Sequence, residues 1–573
     1  MVRLIFLLTA FLFLSNSNGE KKLPTPPEVW SQFNPDEGDF KEEVIKEETK
    51  GGIYFKDSYI SAYVNGHEVR VFCKYAVKVG SKSAPGLLNV HGWHGAPNID
   101  MSYVNDGWAV LAHDYSGIKR ANYTKYPQTL AHGYMKAKEM GHKLIYDRMP
   151  DGSQLTNPKA TSHYLWNAIQ RRALSYLISQ KEVDKTSIGA KGYSYGGTIM
   201  WNLAMDKRVK AVAAYFGIGW INYYRDRGVW KYKLPKQDPE KTAGQKLFLS
   251  ALAPQAHAPY INAACLWLNG SNDHHGGHER GCDTFKKFKP GVPWDFAIQA
   301  RGHHNTEKIG QNTKIWLEKH VLGKKHFWAK RPKTDLKLDD KGIPQITVTP
   351  ASAREVTKVE IYYALKNPVS FQRNWRDAKA IKSGNSWTAS LPVMNVDEYL
   401  FSFANIHYKS SIVQSTEFKA LIPSKLGNAV ATDTKSSSFS GDGSMGAWTK
   451  VAPAEGRGGI LGFRSIDNHR GSYTEQLSDP KWKAPKNSKL KFKFYCTQPQ
   501  TLILAANKHN KIELKITASD HWQEMTINSS EVINIYNNKG LQNWSEVGKI
   551  HFTPKAGSDI TKVIFADFKW VKK

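Results

Sequence analysis

Residues 191–197 read Lys-Gly-Tyr-Ser-Tyr-Gly-Gly, and this stretch decides the fold that we expect for the first half of the chain. It lies between a short strand-like run, residues 186–190, and a segment with helical patterning, residues 198–205. A serine with glycines two residues before and after it is typical of a sharp strand-to-helix turn, because side chains there would clash. Such a turn places the Ser194 hydroxyl at a helix N-terminus, where the helix dipole favours developing negative charge. The alternative is an ordinary Gly/Ser turn, so the interpretation depends on partners elsewhere in the chain.

Continuous apolar runs on both sides of this stretch predict strands that are buried on both faces. They occupy residues 87–90, 108–114, 209–216, 264–269 and 294–299. Runs without polar alternation are typical of a parallel sheet covered by helices on both faces. Helical patterns alternate with them from about residue 51 to residue 323. The sequence therefore predicts an α/β domain with a doubly wound, mainly parallel sheet.

A chain of 573 residues is too long for one hydrophobic core, and its patterning suggests several segments. Residues 1–19 have the basic start, short apolar run and small residues of a secretory signal peptide, which predicts a secreted or periplasmic protein. We expect residues 20–323 to form the α/β domain. Residues 343–423 predict an immunoglobulin- or fibronectin-like β-sandwich, and residues 444–573 predict a jelly-roll similar to carbohydrate-binding modules or a structural accessory domain. Segments 324–342 and 424–443 are expected to be linkers.

The charge of the chain is strongly positive, with 80 Lys and Arg against 51 Asp and Glu, a formal net charge of +29. The basic residues are scattered, and we find no recognised nucleic-acid-binding motif. A plain solvated surface is the favoured explanation of this charge. The predicted partner is a polysaccharide or another acylated substrate, an anionic one included, rather than nucleic acid. No stretch beyond the leader is long and apolar enough for a membrane helix. We expect the four cysteines to be unpaired, with a Cys265–Cys282 disulfide as the alternative.

Two later strand ends carry the groups that a serine nucleophile needs, namely a base and an acid that orients it. Asp273 closes the sequence Gly-Ser-Asn-Asp after the run 264–269. Gly302-His303-His304 follows the last run, and we expect His303 to be the base, with His304 as the alternative. Ser194, Asp273 and His303 are therefore the predicted catalytic residues.

The sequence also offers an oxyanion hole, which requires two backbone N–H groups directed at the developing negative charge. Tyr195, the residue after the nucleophile, is expected to provide one. The loop 91–95, His-Gly-Trp-His-Gly, follows another strand and is expected to provide the other through Trp93. Each such donor stabilises a transition state by about 3–4 kcal/mol.

Taken together, these motifs resemble those of the α/β-hydrolase superfamily, and within it the dienelactone hydrolase and acetyl xylan esterase-like branches. The resemblance covers about residues 50–323 and implies hydrolysis through an acyl-enzyme without a cofactor. The branch also includes peptidases, thioesterases and lipases. One departure is the histidine-rich loop 272–279, which we interpret as a polar loop lining the site rather than a metal site.

The substrate is indicated by residues 217–232, which combine several aromatic side chains with two arginines near the expected rim of the site. Trp220, Tyr223 and Trp230 are the predicted substrate-binding residues, because such side chains suit a sugar polymer with acidic groups. The expected function is that of a serine esterase that deacylates a polysaccharide. The alternatives are a peptidase of the prolyl-oligopeptidase-like branch and a non-catalytic polysaccharide-binding protein.

Overall fold

The computed structural model describes residues 22–93, 95–118, 122–127, 149, 153–220, 242–440 and 448–572, and the predicted leader at 1–19 lies outside them. The α-helices of this described part are α1 Pro26–Trp30, α2 Met101–Asn105, α3 Ser162–Ser179, α4 Tyr195–Leu203, α5 Ala243–Ala251, α6 Pro254–His257, α7 His278–Phe285 and α8 Asn312–Val321. The strands up to residue 299 are β1 Glu43–Lys50, β2 Ile53–Val64, β3 His67–Lys78, β4 Ala84–Val90, β5 Ala109–His113, β6 Val183–Ser194, β7 Ala211–Phe216, β8 Ala264–Gly270 and β9 Trp294–Gln299.

These nine strands form one sheet in the order β1-β2-β3-β5-β4-β6-β7-β8-β9. The pairs along β1-β2-β3-β5 are antiparallel, and every pair from β5 to β9 is parallel. The prediction of a doubly wound, mainly parallel sheet is confirmed. The carboxyl ends of β4, β6, β8 and β9 therefore meet at one edge of the sheet, where the loops after them can share a site.

The two faces of the sheet are covered by different helices, because its strands are apolar on both sides. Leu88 packs in the cluster that contains α3 and α4, whereas its neighbour Leu87 packs in the cluster with Trp316 and Leu317 of α8. The strands β5, β7 and β8 are buried at every position. Each fully buried aliphatic side chain stabilises the fold by about 1.5–3 kcal/mol relative to exposure.

The rest of the chain is built from antiparallel sheets, as predicted. Its first two sheets comprise β10 Lys333–Leu338, β11 Pro344–Thr349, β12 Val356–Leu365, β13 Arg376–Ala378, β14 Ile381–Ser383, β15 Ser386–Ser390, β16 Leu400–Tyr408, β17 Val413–Ser415 and β18 Lys419–Leu421. Two further sheets comprise β19 Ser438–Ser440, β20 Val451–Glu455, β21 Leu461–Ser465, β22 Ser472–Thr474, β23 Ser488–Tyr495, β24 Gln500–Ala506, β25 Asn510–Ile516, β26 Gln523–Ile527, β27 Ile533–Asn534, β28 Ile550–Pro554 and β29 Ile564–Lys572. Strands β10 and β19 lie within the segments 324–342 and 424–443, which composition alone presents as linkers.

The first β-sandwich packs directly against the α/β domain at the edge strand β9. The Ser415 hydroxyl accepts a hydrogen bond from the Ile298 N–H at 2.7 Å, and the Asn405 amide donates to the Ile298 carbonyl at 2.9 Å. Phe403 and Trp375 of the sandwich share one hydrophobic cluster with the α/β core. The sandwich thus satisfies polar groups that an edge strand would otherwise expose.

A buried ion pair crosses the same junction. The Arg373 guanidinium lies 3.0 Å from the Glu279 carboxylate of α7, and their side chains are 1% and 2% exposed. Arg373 also donates to the Asn367 and Pro368 carbonyls. This arginine therefore connects the sandwich to the helix that follows Asp273.

All four cysteines are buried and unpaired, which confirms the preferred expectation. Among the described residues, no helix combines the length and apolar character needed to cross a lipid bilayer.

We expect Arg373→Ala to lower the free energy of unfolding by about 3–5 kcal/mol, because it leaves the Glu279 carboxylate buried without its cation. Urea and thermal unfolding followed by circular dichroism measure the change. Arg354→Ala is the matched control, since Arg354 lies in the same sandwich and its side chain is 91% exposed. Equal stability of the two variants would contradict the assigned role of the junction.

Candidate active site

Ser194 occupies the turn between β6 and α4, as the sequence predicts. Its backbone has φ 54° and ψ −116°, a conformation that costs a non-glycine residue about 1–3 kcal/mol. Gly196 permits this turn, because a Cβ on it would lie 2.5 Å from the His91 carbonyl oxygen. The strained turn brings the start of α4 against the loop after β4, and Ser194 is half-buried at this contact.

The loop after β4 reaches the nucleophile. A Cβ on Gly92 would lie 3.2 Å from the Ser194 Cβ, so only a glycine allows the backbone to approach this closely. The Trp93 ring packs edge-on against Tyr195, with ring centroids 5.2 Å apart. The loop after β4 therefore packs against Ser194 and the first residue of α4, and the role of the Trp93 N–H in an oxyanion hole stays a prediction.

Buried partners hold both sides of this candidate oxyanion hole. The Tyr195 hydroxyl lies 2.6 Å from His163 Nδ1, and His163 Nε2 lies 3.0 Å from the Leu252 carbonyl. The carbonyl can only accept, so Nε2 carries the proton and Nδ1 accepts from Tyr195. Burial lowers the pKa of His163 to about 3, which keeps the ring neutral. Sequence patterning did not indicate His163, because it lies within an apolar helix.

On the other side, the His91 ring stacks on Tyr115 and its Nε2 lies 3.2 Å from Asp114 Oδ1. Burial raises the pKa of Asp114, but hydrogen bonds from His91 and the Thr124 N–H outweigh it and bring the pKa to about 2. The ionised Asp114 carboxylate therefore holds the His91 ring, and with it the loop after β4, in a fixed orientation. The Asp114-x-Ser116 sequence after β5 is the signal that could have identified this anchor.

Asp273 lies in the loop after β8, and its side chain is fully buried. Its Oδ1 accepts from the backbone N–H groups of His275 and Gly276 at 2.7 and 2.6 Å. Its Oδ2 lies 2.6 Å from His304 Nδ1. Burial raises the pKa of Asp273, yet the hydrogen bond and charge of His304 reverse this effect, and the net pKa is lowered.

His304, rather than the expected His303, is the histidine that bonds Asp273. The turn that leads into these two consecutive histidines begins at Arg301, which has φ 56°. The His304 ring stacks on Phe216 at the end of β7, with centroids 3.9 Å apart. His303 instead places Nε2 3.1 Å from Glu475 Oε2 in the jelly-roll. The acid–histidine pair of the structure is therefore Asp273–His304.

A second histidine, His275, contacts Ser194. Its Nδ1 lies 3.4 Å from Ser194 Oγ, and its Nε2 lies 3.1 Å from Thr198 Oγ1. Burial lowers the pKa of His275 to about 3, so this ring is neutral at working pH. The His275 and His304 rings are nearly parallel, with centroids 6.2 Å apart. Ser194, His275, His304 and Asp273 thus form one contiguous polar cluster.

Asp273 and His304 of this cluster, together with the neighbouring His274, have the composition of a cation site. Single ligand atoms of Asp273, His274 and His304 lie within 4.8 Å of one another. Asp273 and His304 already satisfy each other through their hydrogen bond. A cation bound there would have to replace that hydrogen bond. Binding a cation and keeping the Asp273–His304 hydrogen bond therefore exclude each other.

Of the predicted substrate-binding residues, Trp220 lies close to this cluster. Its carbonyl accepts from Arg280 at 3.0 Å, and the same guanidinium donates to the His275 carbonyl at 2.5 Å. The Trp220 ring is half-buried. Tyr223 and Trp230 lie outside the described residues.

In a comparison with known protein families, residues 75–305 match the dienelactone hydrolase family. The chain is similar in structure to an acetyl xylan esterase from a Paenibacillus species, with 18% identity, 50% of this chain and 91% of that chain covered, and a TM-score of 0.39. It is also similar to acetyl xylan esterase 1 from a Thermoanaerobacterium species, with 17% identity, 52% and 94% covered, and a TM-score of 0.41. No curated protein sequence gives a significant match.

We expect Gly196→Ala to disrupt the turn, because the new methyl group would lie 2.5 Å from the His91 carbonyl oxygen, a backbone atom that cannot move alone. The expected loss of stability is about 1–3 kcal/mol, measured by urea unfolding. Gly310→Ala is the control, since a Cβ on Gly310 would lie 3.5 Å from its nearest neighbour, the Thr306 carbonyl oxygen, which is an ordinary contact distance. A Gly196→Ala protein as stable as this control would argue against the tight turn.

Proposed function

Because residues 75–305 match the dienelactone hydrolase family, we propose that the protein is a serine esterase that deacylates a polysaccharide through an acyl-enzyme. One observation carries the proposal: Ser194 stands on a strained strand-to-helix turn, and the hydrogen-bonded pair Asp273–His304 lies in the loops after β8 and β9 at the same sheet edge. A hydroxyl nucleophile, a base and an orienting acid are the groups that acyl transfer requires.

In this proposal Ser194 Oγ attacks the ester carbonyl carbon while a histidine takes its proton. His304 suits the role better than His275, because a base becomes a cation and needs an adjacent anion. His304 has the Asp273 carboxylate at 2.6 Å. His275 is fully enclosed, and its lowered pKa opposes protonation. His303 was the expected base, and its bond to Glu475 directs it away from Asp273.

The remaining steps use groups of the same site. The tetrahedral oxyanion would accept hydrogen bonds from the backbone N–H groups of Tyr195 and Trp93. His304 would then return its proton to the departing sugar hydroxyl, leaving an ester on Ser194. Water, deprotonated by His304, would attack that ester, release the carboxylic acid and restore the Ser194 hydroxyl. His275 is proposed to position Ser194 Oγ between turnovers.

The substrate class rests on the composition of the chain and on Trp220 near the cluster, with Tyr223 and Trp230 as further predicted contacts. A polysaccharide, an anionic one included, fits the excess of 29 positive charges. Export of the protein is supported by the leader-like residues 1–19. A secreted or periplasmic location would bring the enzyme to polymers that do not enter the cell.

We expect Ser194→Ala to abolish hydrolysis of a small acetyl ester and to abolish labelling by a fluorophosphonate probe, because both reactions need the activated hydroxyl. Initial rates and fluorescence of the labelled band measure the two effects. Ser271→Ala is the control, since Ser271 is a buried serine in the same region that donates to Asn272 rather than touching Ser194. Unchanged ester hydrolysis in Ser194→Ala would refute the proposal, and preferred cleavage of peptide amides would redirect it to a peptidase.

The two adjacent histidines give a second test. We expect His304→Asn to lower kcat by about 10²–10⁴-fold, because proton transfer is lost. His303→Asn keeps the Asp273 pair and is expected to change kcat on a small acetyl ester only slightly. If His303→Asn is the more damaging substitution, the assignment of the base is wrong.

A further inference from the structure

A groove begins beside the catalytic cluster and runs onto the jelly-roll. It encloses about 1180 Å³ and is lined by all three parts of the protein. The α/β domain contributes Asn272, His274 and His303, the first sandwich contributes residues 366–372, and the jelly-roll contributes the remaining wall. Small-molecule pockets usually enclose about 300–1,000 Å³, so this groove exceeds the needs of one small ligand.

One wall of the groove is an uncovered sheet face. Strand register places Tyr473, His551, Ala505 and Lys511 in one row across β22, β28, β24 and β25. Residues paired across neighbouring strands share a face, so these side chains point the same way. Ala505 in the middle of the row is small, and the flanking side chains are long. Tyr473, at the end of the row, does not line the groove, so the face forms a trough bordered by the His551 imidazole on one flank and the Lys511 ammonium on the other.

The charge of the groove is positive. Five lysines and four histidines line it, against two glutamates and no aspartate. The Lys549 ammonium lies 3.1 Å from the Glu475 carboxylate. One of the two glutamates of the groove is therefore already neutralised by an ion pair within the protein. Lys508 and Lys511 are exposed, and neither forms an ion pair among the described residues. Their charges are available to an occupant that carries anions.

The same groove is joined to the catalytic centre. His303 bonds Glu475, and Glu475 in turn holds Lys549, so one chain of polar contacts runs from the residue beside His304 into the jelly-roll. The His274 ring lines the groove and lies 4.8 Å from the His304 ring. A polymer in the trough would therefore lead directly to the reacting groups.

From this arrangement we propose that the groove binds a carboxylate-bearing polysaccharide, and that the jelly-roll sheet face around Lys511 is the extended subsite that presents the polymer to Ser194. The proposal rests on the esterase function proposed above and names its substrate as acidic. The ammonium groups of Lys508 and Lys511 would pair with uronate carboxylates, while the exposed Gln372 side chain offers its amide to sugar hydroxyls.

The wall chemistry favours this occupant over a nucleic acid strand. Single-stranded nucleic acids are bound by rows of aromatic side chains on which successive bases stack. Phe371 is the single Phe, Tyr or Trp among the described lining residues of the groove. A trough with lysine ammoniums, amides and one aromatic ring suits acidic sugars, whose rings carry hydroxyls and carboxylates instead of stacking bases.

The test measures binding of polygalacturonate, a uronate polymer, to the full chain carrying Ser194→Ala, so that no hydrolysis interferes. We expect Lys508→Gln with Lys511→Gln to weaken binding about fivefold or more in affinity electrophoresis, and we expect about 0.5 M NaCl to weaken binding of the parent protein. Lys515→Gln is the matched control, because Lys515 lies on the same strand and face as Lys511 but does not line the groove.

Polymers of other chemistry separate the competing occupants. Neutral xylan is expected to bind at least about tenfold more weakly than polygalacturonate. Equal binding of the double variant and the Lys515→Gln control, equal binding of neutral xylan, or tighter binding of single-stranded DNA would overturn the proposal.

Activity on a small acetyl ester distinguishes this inference from the esterase function. With Ser194 intact, the Lys508→Gln and Lys511→Gln double variant should keep kcat for the small ester, because both lysines belong to the jelly-roll, whereas the hydrogen bonds of Ser194, Asp273 and His304 are made within the α/β domain. If Ser194→Ala leaves that activity unchanged, the esterase proposal fails. If the protein with both lysines intact binds uronate and neutral polymers equally well, the groove proposal fails.

Discussion

The carboxylate of Asp273 is buried, and a buried carboxylate is stable only when hydrogen bonds replace its water. Two backbone N–H groups of its own loop and the His304 ring supply those bonds. This requirement fixes the loop after β8 and the loop after β9 relative to each other. Because β8 and β9 are adjacent parallel strands, both loops leave the sheet at the same edge as Ser194. The chemistry of the site therefore depends on satisfying one buried charge.

The first β-sandwich contributes to the same constraint. The Asn272 amide, next to Asp273 in the chain, donates to the Arg373 carbonyl at 2.7 Å. The side chain of Arg373 pairs with Glu279, so the loop that carries the acid is anchored at both ends by one residue of another domain. Edge strand β9 is covered at the same junction. The sandwich thus acts as a structural support for the active-site loops, which explains why its core is continuous with that of the α/β domain.

Sequence patterning predicts the parts of this architecture that depend on local chemistry. The glycines around Ser194 predict the turn, and continuous apolar runs predict the buried strands. The choice between His303 and His304 is different, because it depends on a turn in which Arg301 adopts a positive φ and on Glu475, which lies 172 positions further along the chain. Likewise, β10 is a polar strand whose identity is set by pairing with β11, so composition presents it as a linker. His275 was predicted only as part of a loop that lines the site, and His163 was not predicted at all, because burial, rather than spacing, defines their roles.

The two consecutive histidines show how the domains are coupled. His304 faces inward to Asp273, whereas His303 faces outward to Glu475 of the jelly-roll. Both side chains leave one short turn, so movement of the jelly-roll relative to the α/β domain would pull on the backbone that carries the base. Burial raises the pKa of Glu475, but the hydrogen bond and charge of His303 and the charge of Lys549 outweigh it and lower the pKa, so the carboxylate stays ionised at the groove wall. His303 therefore links the turn that carries His304 to a wall of the proposed polymer groove.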